Sequence, residues 1–211
     1  RDAEDPARGR RHLLTPRTSD ARIRGRSDPA AASVSGMLNA DNIYLVGPMG
    51  SGKSAVGRQL AQRLGLVFVD SDAEIEARTG VDIACIFDRE GEAGFRARER
   101  DVLDLLTRQP RSLIATGGGA VLDAETRQRL RRRGGVVYLR ASVDQQLART
   151  RRGTHRPLLD TPDPRGTLQR LMEQRAGLYE ESADLTVDTD GRKVKTVVDE
   201  IVRRLEAART A

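Results

Sequence analysis

Five short apolar, β-rich runs punctuate the chain: Asn42–Val46, Leu66–Val69, Ser112–Thr116, Gly135–Leu139 and Ala183–Val187. Each has the length and composition of a buried strand. Between them, apolar residues recur at helical spacing, first at Val56, Leu60, Ala61 and Leu64 before Gly65, then at Val102, Leu103, Leu105 and Leu106. A last series, Val197, Val198, Ile201, Val202 and Leu205, predicts a helix over about 196–208. Ser71 with Glu74 three residues on reads as a capping box, and Ser142 with Gln145 caps another helix. A further helix is expected over roughly 165–177. Strands alternating with helices define an α/β domain built on an open sheet.

Residues 1–36 break this pattern. They hold Leu13, Leu14, Ile23 and Val34 as their large aliphatics and no aromatic residue, so burial cannot offset their ordering entropy. The segment is expected to be a disordered extension, with the folded domain at 37–211 and a working start near Met37. An apolar signal-peptide region is lacking, and Asp2, Glu4, Asp5, Asp20 and Asp28 speak against a transit peptide.

One stretch carries explicit chemistry. Gly47-Pro48-Met49-Gly50-Ser51-Gly52-Lys53-Ser54 fits G-x-x-x-x-G-K-[ST], between a strand and a helix. Glycines there let successive backbone N–H groups turn toward phosphate oxygens, and the helix N-terminus adds positive dipole character. Lys53 would reach the β- and γ-phosphates and Ser54 would sit on Mg²⁺, with Gly50, Ser51, Gly52 and Ala55 completing the cradle. Of the 37 Lys and Arg residues, lysine appears at 53, 193 and 195 only. One of these few lysines thus fills the slot that wants a compact ammonium.

The net charge of +6 would suit nucleic acid, but residues 1–36 contribute eight arginines against five acids. Three Phe and three Tyr leave little for base stacking, so a basic site for small anions accounts better for the remainder. The one cysteine, Cys85, lies among apolar neighbours, fits a reducing compartment and is read as a small core residue. No run is long enough for a membrane span.

Further candidates follow the strands. Asp70-Ser71-Asp72 places two carboxylates at a strand's carboxyl end, where open α/β sheets keep their ligand chemistry. The strand at 112–116 runs into Gly117-Gly118-Gly119, a backbone that another group must approach closely. Thr116 stands where many P-loop proteins have a metal-binding Asp, which leaves Asp70 as the candidate carboxylate for Mg²⁺. The cationic stretch from Arg149 through His155 and Arg156 to about 161 lacks apolar periodicity and reads as a mobile lid. His155 is a solvated lid residue, since His12 is the one other histidine.

With the phosphate loop, Asp70-Ser71-Asp72, Gly94-Phe95-Arg96, the triple glycine and Arg156-Pro157-Leu158-Leu159 in this order, residues 40–207 resemble the shikimate kinase family. The resemblance implies a three-layer P-loop kinase fold of the nucleoside-monophosphate-kinase type, with a five-stranded parallel sheet flanked by helices and a mobile lid. It implies transfer of a phosphoryl group from ATP, with Mg²⁺, to the 3-hydroxyl of shikimate in aromatic amino-acid biosynthesis. Asp70 would hold the metal through water, and Asp72 would bind ring hydroxyls and act as the base. Arg96 and Arg175 would grip the shikimate carboxylate, beside a Gly118 or Gly119 N–H. Arg156 would meet the γ-phosphate and Arg149 stack beside adenine, while Phe87, Phe95 and Glu99 would wall or brace the pocket. Some family members have a proline beyond the base, in a loop that here is Asp188–Val194 without one. A monomeric cytoplasmic enzyme with no nucleic-acid or membrane partner is expected. The rivals are another small-molecule kinase, such as gluconate kinase or a nucleoside monophosphate kinase, and an ATP- or nucleic-acid-binding P-loop module without transfer activity.

Overall fold

The computed structural model describes residues 42–151 and 157–209. The expected extension at 1–36 and lid residues 152–156, with His155 and Arg156, lie outside the described residues.

Five parallel strands form one sheet: β1 (Ile43–Val46), β2 (Val67–Asp70), β3 (Ser112–Ala115), β4 (Gly135–Arg140) and β5 (Leu185–Asp188). Their order is β2-β3-β1-β4-β5. β1 is central, pairing Leu45 with Ala115 on one side and with Val137 on the other. Seven α-helices flank the sheet among the described residues: α1 (Lys53–Leu64), α2 (Ser71–Thr79), α3 (Ile83–Leu106), α4 (Ala124–Arg133), α5 (Val143–Thr150), α6 (Pro164–Ser182) and α7 (Val194–Arg209).

The continuous apolar runs of β1, β3 and β4 are explained by burial on both faces. Along β1, Ile43 and Leu45 face α1 and α7, in a layer with Leu60, Ile201 and Leu205. Tyr44 and Val46 face the opposite layer, with Ile75 of α2, Leu103 of α3, Leu130 of α4 and Tyr179 of α6. Each fully buried large side chain contributes roughly 1.5–3 kcal/mol. Close packing sets the layer spacing at Gly57 of α1, where an added Cβ would lie 2.4 Å from the Phe68 ring.

Several boundaries differ from the sequence reading, each for a visible reason. Ser71 does not cap α2; Asp70 does, its carboxylate accepting from the Asp72 N–H at 3.1 Å, while the Ser71 hydroxyl accepts from the Gly117 N–H at 2.9 Å. α3 starts at Ile83, capped by Asp82, and bends at Gly91, where φ 70° and ψ −176° interrupt the helix. α6 begins one residue earlier than expected, with Asp163 as cap and Pro164 in the first turn. It continues past Gly177 to Ser182 because Tyr179 is buried against the sheet. Cys85 is half-buried rather than a core residue.

Candidate active site

The chemistry collects at the carboxyl ends of the central strands, at the switch point where the chain leaves β1 between β3 and β4. The loop after β1 needs glycine at 47, 50 and 52, where φ is 143°, 75° and 95°. α5 packs on this loop so tightly that a Cβ at Gly50 would sit 3.0 Å from Gln146 backbone atoms. Lys53 Nζ donates to the carbonyls of Gly47 and Pro48, both at 2.8 Å, across the loop's mouth. Ser51 is buried, and its Oγ has no hydrogen-bond partner in the described structure. A buried hydroxyl left over among inward-turned amides suits an incoming oxyanion.

At the start of α1 the Ser54 hydroxyl donates to Asp70 Oδ2 at 2.5 Å. Thr116, by contrast, is buried and donates to the Leu45 carbonyl, so it is spent on joining β3 to β1. A hydroxyl and a carboxylate side by side at the phosphate loop suit Mg²⁺, which keeps water and phosphate oxygens as its other ligands.

The triple glycine is where two halves of the site meet. A Cβ at Gly117 would lie 2.1 Å from Glu99 Oε1 and 2.9 Å from Asp72 Oδ1; one at Gly119 would lie 2.3 Å from the Arg96 guanidinium. Gly118 lies between them and faces the phosphate loop, 3.4 Å from Met49 N by the same measure. The three glycines thus bring α3's charged side chains and the phosphate loop onto one short segment.

A cavity of about 570 Å³ opens on this segment, reached by Ser54, Asp70, Asp72, Arg96, Glu99 and Arg175. Four elements supply them: α1, the β2–α2 junction, α3 and α6. Phe87 and Phe95, with ring centroids 4.9 Å apart, form an apolar wall. Leu158, from the short turn Pro157–Leu159, also lines the cavity.

Charge within the cavity is balanced closely. Arg96 NH1 donates to Glu99 Oε2 at 2.7 Å, and its Nε and NH2 donate to Glu92 Oε1 at 3.2 and 2.9 Å. Burial works against the Arg96 charge, yet Glu99 and Glu92 overcome it and hold the guanidinium pKa above its usual value. Burial pushes the Glu99 carboxyl up; Arg96 opposes this, while the charge of Asp72 adds to it. Arg175 is only 4% exposed, and its Nε has no hydrogen-bond partner in the described structure. A buried guanidinium with an unused donor beside a polar cavity calls for an anion.

Arg149, at the end of α5, donates through NH1 to the Gly50 carbonyl at 3.0 Å and to Thr189 Oγ1 at 3.1 Å, and through NH2 to the Thr189 carbonyl at 2.7 Å. It ties the phosphate loop to the loop after β5. Of the candidate site residues named from the sequence, all but Arg156 lie among the described residues. Ser54, Asp70, Asp72, Arg96, Gly118, Gly119 and Arg175 line this cavity, while Gly50, Ser51, Gly52 and Lys53 belong to the phosphate loop beside it. The sequence reading gave no role to Glu92 or Tyr179 and took Ser71 for a helix cap, whereas its hydroxyl holds the Gly117 N–H. The spacing of Tyr179 four residues after Arg175 was the one available signal, since it puts both on the same helix face.

A phosphate loop on the central strand of a 2-3-1-4-5 parallel sheet, with a hydroxyl–carboxylate pair and an acceptor cavity beside it, defines a P-loop kinase, a phosphotransferase. A sequence model described as shikimate kinase matches residues 49–206. A shikimate kinase of Vibrio cholerae is 55% identical over 170 residues, covering 81% of this chain and 98% of that protein, and one of Aliivibrio fischeri is 52% identical over the same length. The chain belongs to the shikimate kinase family. Among solved structures, shikimate kinase from Acinetobacter baumannii in complex with shikimate superposes with a TM-score of 0.78 at 45% identity, covering 82% of this chain and 97% of that one. A gluconokinase from Sinorhizobium meliloti, at 21% identity and TM-score 0.52 over 80% of this chain and 93% of its own, shares the fold. No helix among the described residues is long and apolar enough to cross a membrane.

Proposed function

We propose that the protein transfers the γ-phosphoryl group of ATP to the 3-hydroxyl of shikimate, giving shikimate 3-phosphate and ADP in aromatic amino-acid biosynthesis. The observation that carries this reading is the pair Arg96 and Arg175 at one cavity with Asp72, directly beside the phosphate loop. Two guanidinium groups can hold one carboxylate in a fixed plane, with a Gly118 or Gly119 N–H close by. That grip turns the hydroxyl side of a polyhydroxylated acid toward Asp72.

In the reaction the acceptor oxygen forms a bond to the γ-phosphorus as the bond to the β-phosphate oxygen breaks. Asp72 positions the hydroxyl and accepts its proton as the loose transition state develops. Lys53 and Arg156 stabilise charge on the transferring group, while Gly50, Ser51, Gly52, Ser54 and Ala55 cradle the phosphates. Ser54 and Asp70 would hold Mg²⁺, which when bound offsets phosphate charge. Arg149 would flank the base. The enzyme works as a cytoplasmic monomer.

The test is ADP release by the full chain with Mg-ATP and shikimate, gluconate or AMP as acceptor. Turnover with shikimate alone is expected. Turnover with another acceptor overturns the role given to Arg96 and Arg175, and none with any acceptor overturns the reaction.

A further inference from the structure

The Tyr179 side chain is fully buried, yet its ring ends at the site. It stacks on Tyr138 of β4 with centroids 5.0 Å apart, and its hydroxyl donates to the Gly118 carbonyl. Arg175, one helical turn earlier, donates through NH1 to that same carbonyl at 3.4 Å. Two adjacent turns of α6 therefore grip a single backbone oxygen at the end of β3.

That oxygen belongs to the Gly118–Gly119 peptide. In a trans peptide the C=O and the following N–H point in opposite directions, so a bond that fixes the Gly118 carbonyl also fixes the Gly119 N–H. A glycine–glycine peptide has the least intrinsic preference of any and needs an outside anchor to hold one orientation. Gly119 lines the cavity beneath the Arg96 guanidinium. The same hydroxyl also helps hold Arg175, because it fixes the carbonyl to which that guanidinium is docked.

We propose that Tyr179 is a positioning residue for acceptor binding: its hydroxyl orients the Gly118–Gly119 peptide and the Arg175 guanidinium together toward the acceptor's carboxylate. The inference rests on the reading of the acceptor as shikimate. The bond costs little to maintain in the protonated form, since burial holds the Tyr179 phenol above its usual pKa. The ring anchors the helix and the hydroxyl serves the site, so the two roles can be separated.

Tyr179→Phe keeps the ring and its stack and removes only the donor. Tyr138→Phe is the matched control, because the Tyr138 hydroxyl makes no hydrogen bond to a described residue. With Tyr179→Phe the shikimate KM is expected to rise about tenfold, the loss of one hydrogen bond to a group that orients a charged ligand, with the MgATP KM within about twofold of wild type. Tyr138→Phe should leave both unchanged. An unchanged shikimate KM with a lowered Tm would assign Tyr179 to stability alone and overturn the proposal; equal rises in both KM values would overturn it too. If Tyr179→Phe does not fold, ¹⁵N-glycine-labelled wild-type protein answers instead: the Gly119 amide resonance should move on titration with shikimate, and an unmoved resonance overturns the proposal. Should wild-type protein not phosphorylate shikimate at all, it is the functional reading that has failed.

Discussion

The phosphate half and the acceptor half of the site are built by different means. The first comes almost entirely from one stretch, 47–54, which offers backbone amides, one lysine and the hydroxyls of Ser51 and Ser54. The second draws Asp72, Arg96, Glu99 and Arg175 from three helices, and its members are held by one another: Arg96 by Glu92 and Glu99, Arg175 by a carbonyl at the end of β3. A backbone cradle is robust because local φ and ψ values fix it. A cluster of opposed buried charges depends on several elements docking together, and removing one member leaves another unbalanced.

The sharpest way to test that division is to remove the reacting groups from each half separately. Lys53→Ala should lower kcat by about 10²- to 10³-fold while leaving the shikimate dissociation constant near wild type. Asp72→Asn should lower kcat by about 10²- to 10⁴-fold while leaving MgATP affinity near wild type. Rapid-quench turnover with equilibrium titration of each substrate reads both. If either variant weakens the opposite substrate as strongly as its own, the two halves are one coupled unit.

The same division explains what the sequence disclosed. The phosphate loop was legible because its chemistry, strand and helix are contiguous, and β1, β3 and β4 because burial on both sides makes their apolar runs continuous; the edge strands β2 and β5, less buried, were legible from their β-rich composition. Asp70 was read as a candidate metal-side carboxylate, but the cap of α2, which it supplies, was given to Ser71. Either residue can cap a helix locally, and only the approach of Gly117 to the Ser71 hydroxyl decides between them. The bend at Gly91 was equally out of reach, since helix breaks and helix interiors both accept glycine. Tyr179 was missed for a deeper reason: its partner is a carbonyl 61 residues away in sequence, and its spacing from Arg175 marks a shared helix face without showing what that face meets.

A smaller perturbation asks whether the acceptor half tolerates a shift in one member. In Gly119→Ala the new methyl would fall 2.3 Å from the Arg96 guanidinium, which must move away from Glu92 and Glu99. Gly118→Ala adds the same methyl one residue earlier, where it meets Met49 N at 3.4 Å, an ordinary contact. Gly119→Ala should raise the shikimate KM by about tenfold, corresponding to roughly 1.4 kcal/mol, and Gly118→Ala by much less. Steady-state kinetics on both variants checks this; equal effects would mean that any stiffening of the triple glycine suffices, without displacement of Arg96.

The smallest effect is expected where charges join helices away from both halves. Asp104 on α3 accepts from Arg133 NH1 of α4 and from Arg108 NH2, each at 2.8 Å. These two hydrogen bonds hold its carboxyl at about 2, against an ordinary value of 3.8. The carboxyl is therefore ionised more readily in the folded chain, so its stabilisation is present above about pH 4 and is lost as pH falls toward 2. Asp104→Asn should lower Tm by about 1–3 °C at pH 6. The gap to wild type should narrow through pH 4 to 2, with both substrate KM values unchanged at neutral pH. Thermal melts across that range would show it. A gap that persists at pH 2 would mean that the substituted amide disturbs packing rather than charge, and a change in the shikimate KM would mean that the α3–α4 junction helps set Arg96, extending the acceptor half's interdependence beyond the cavity.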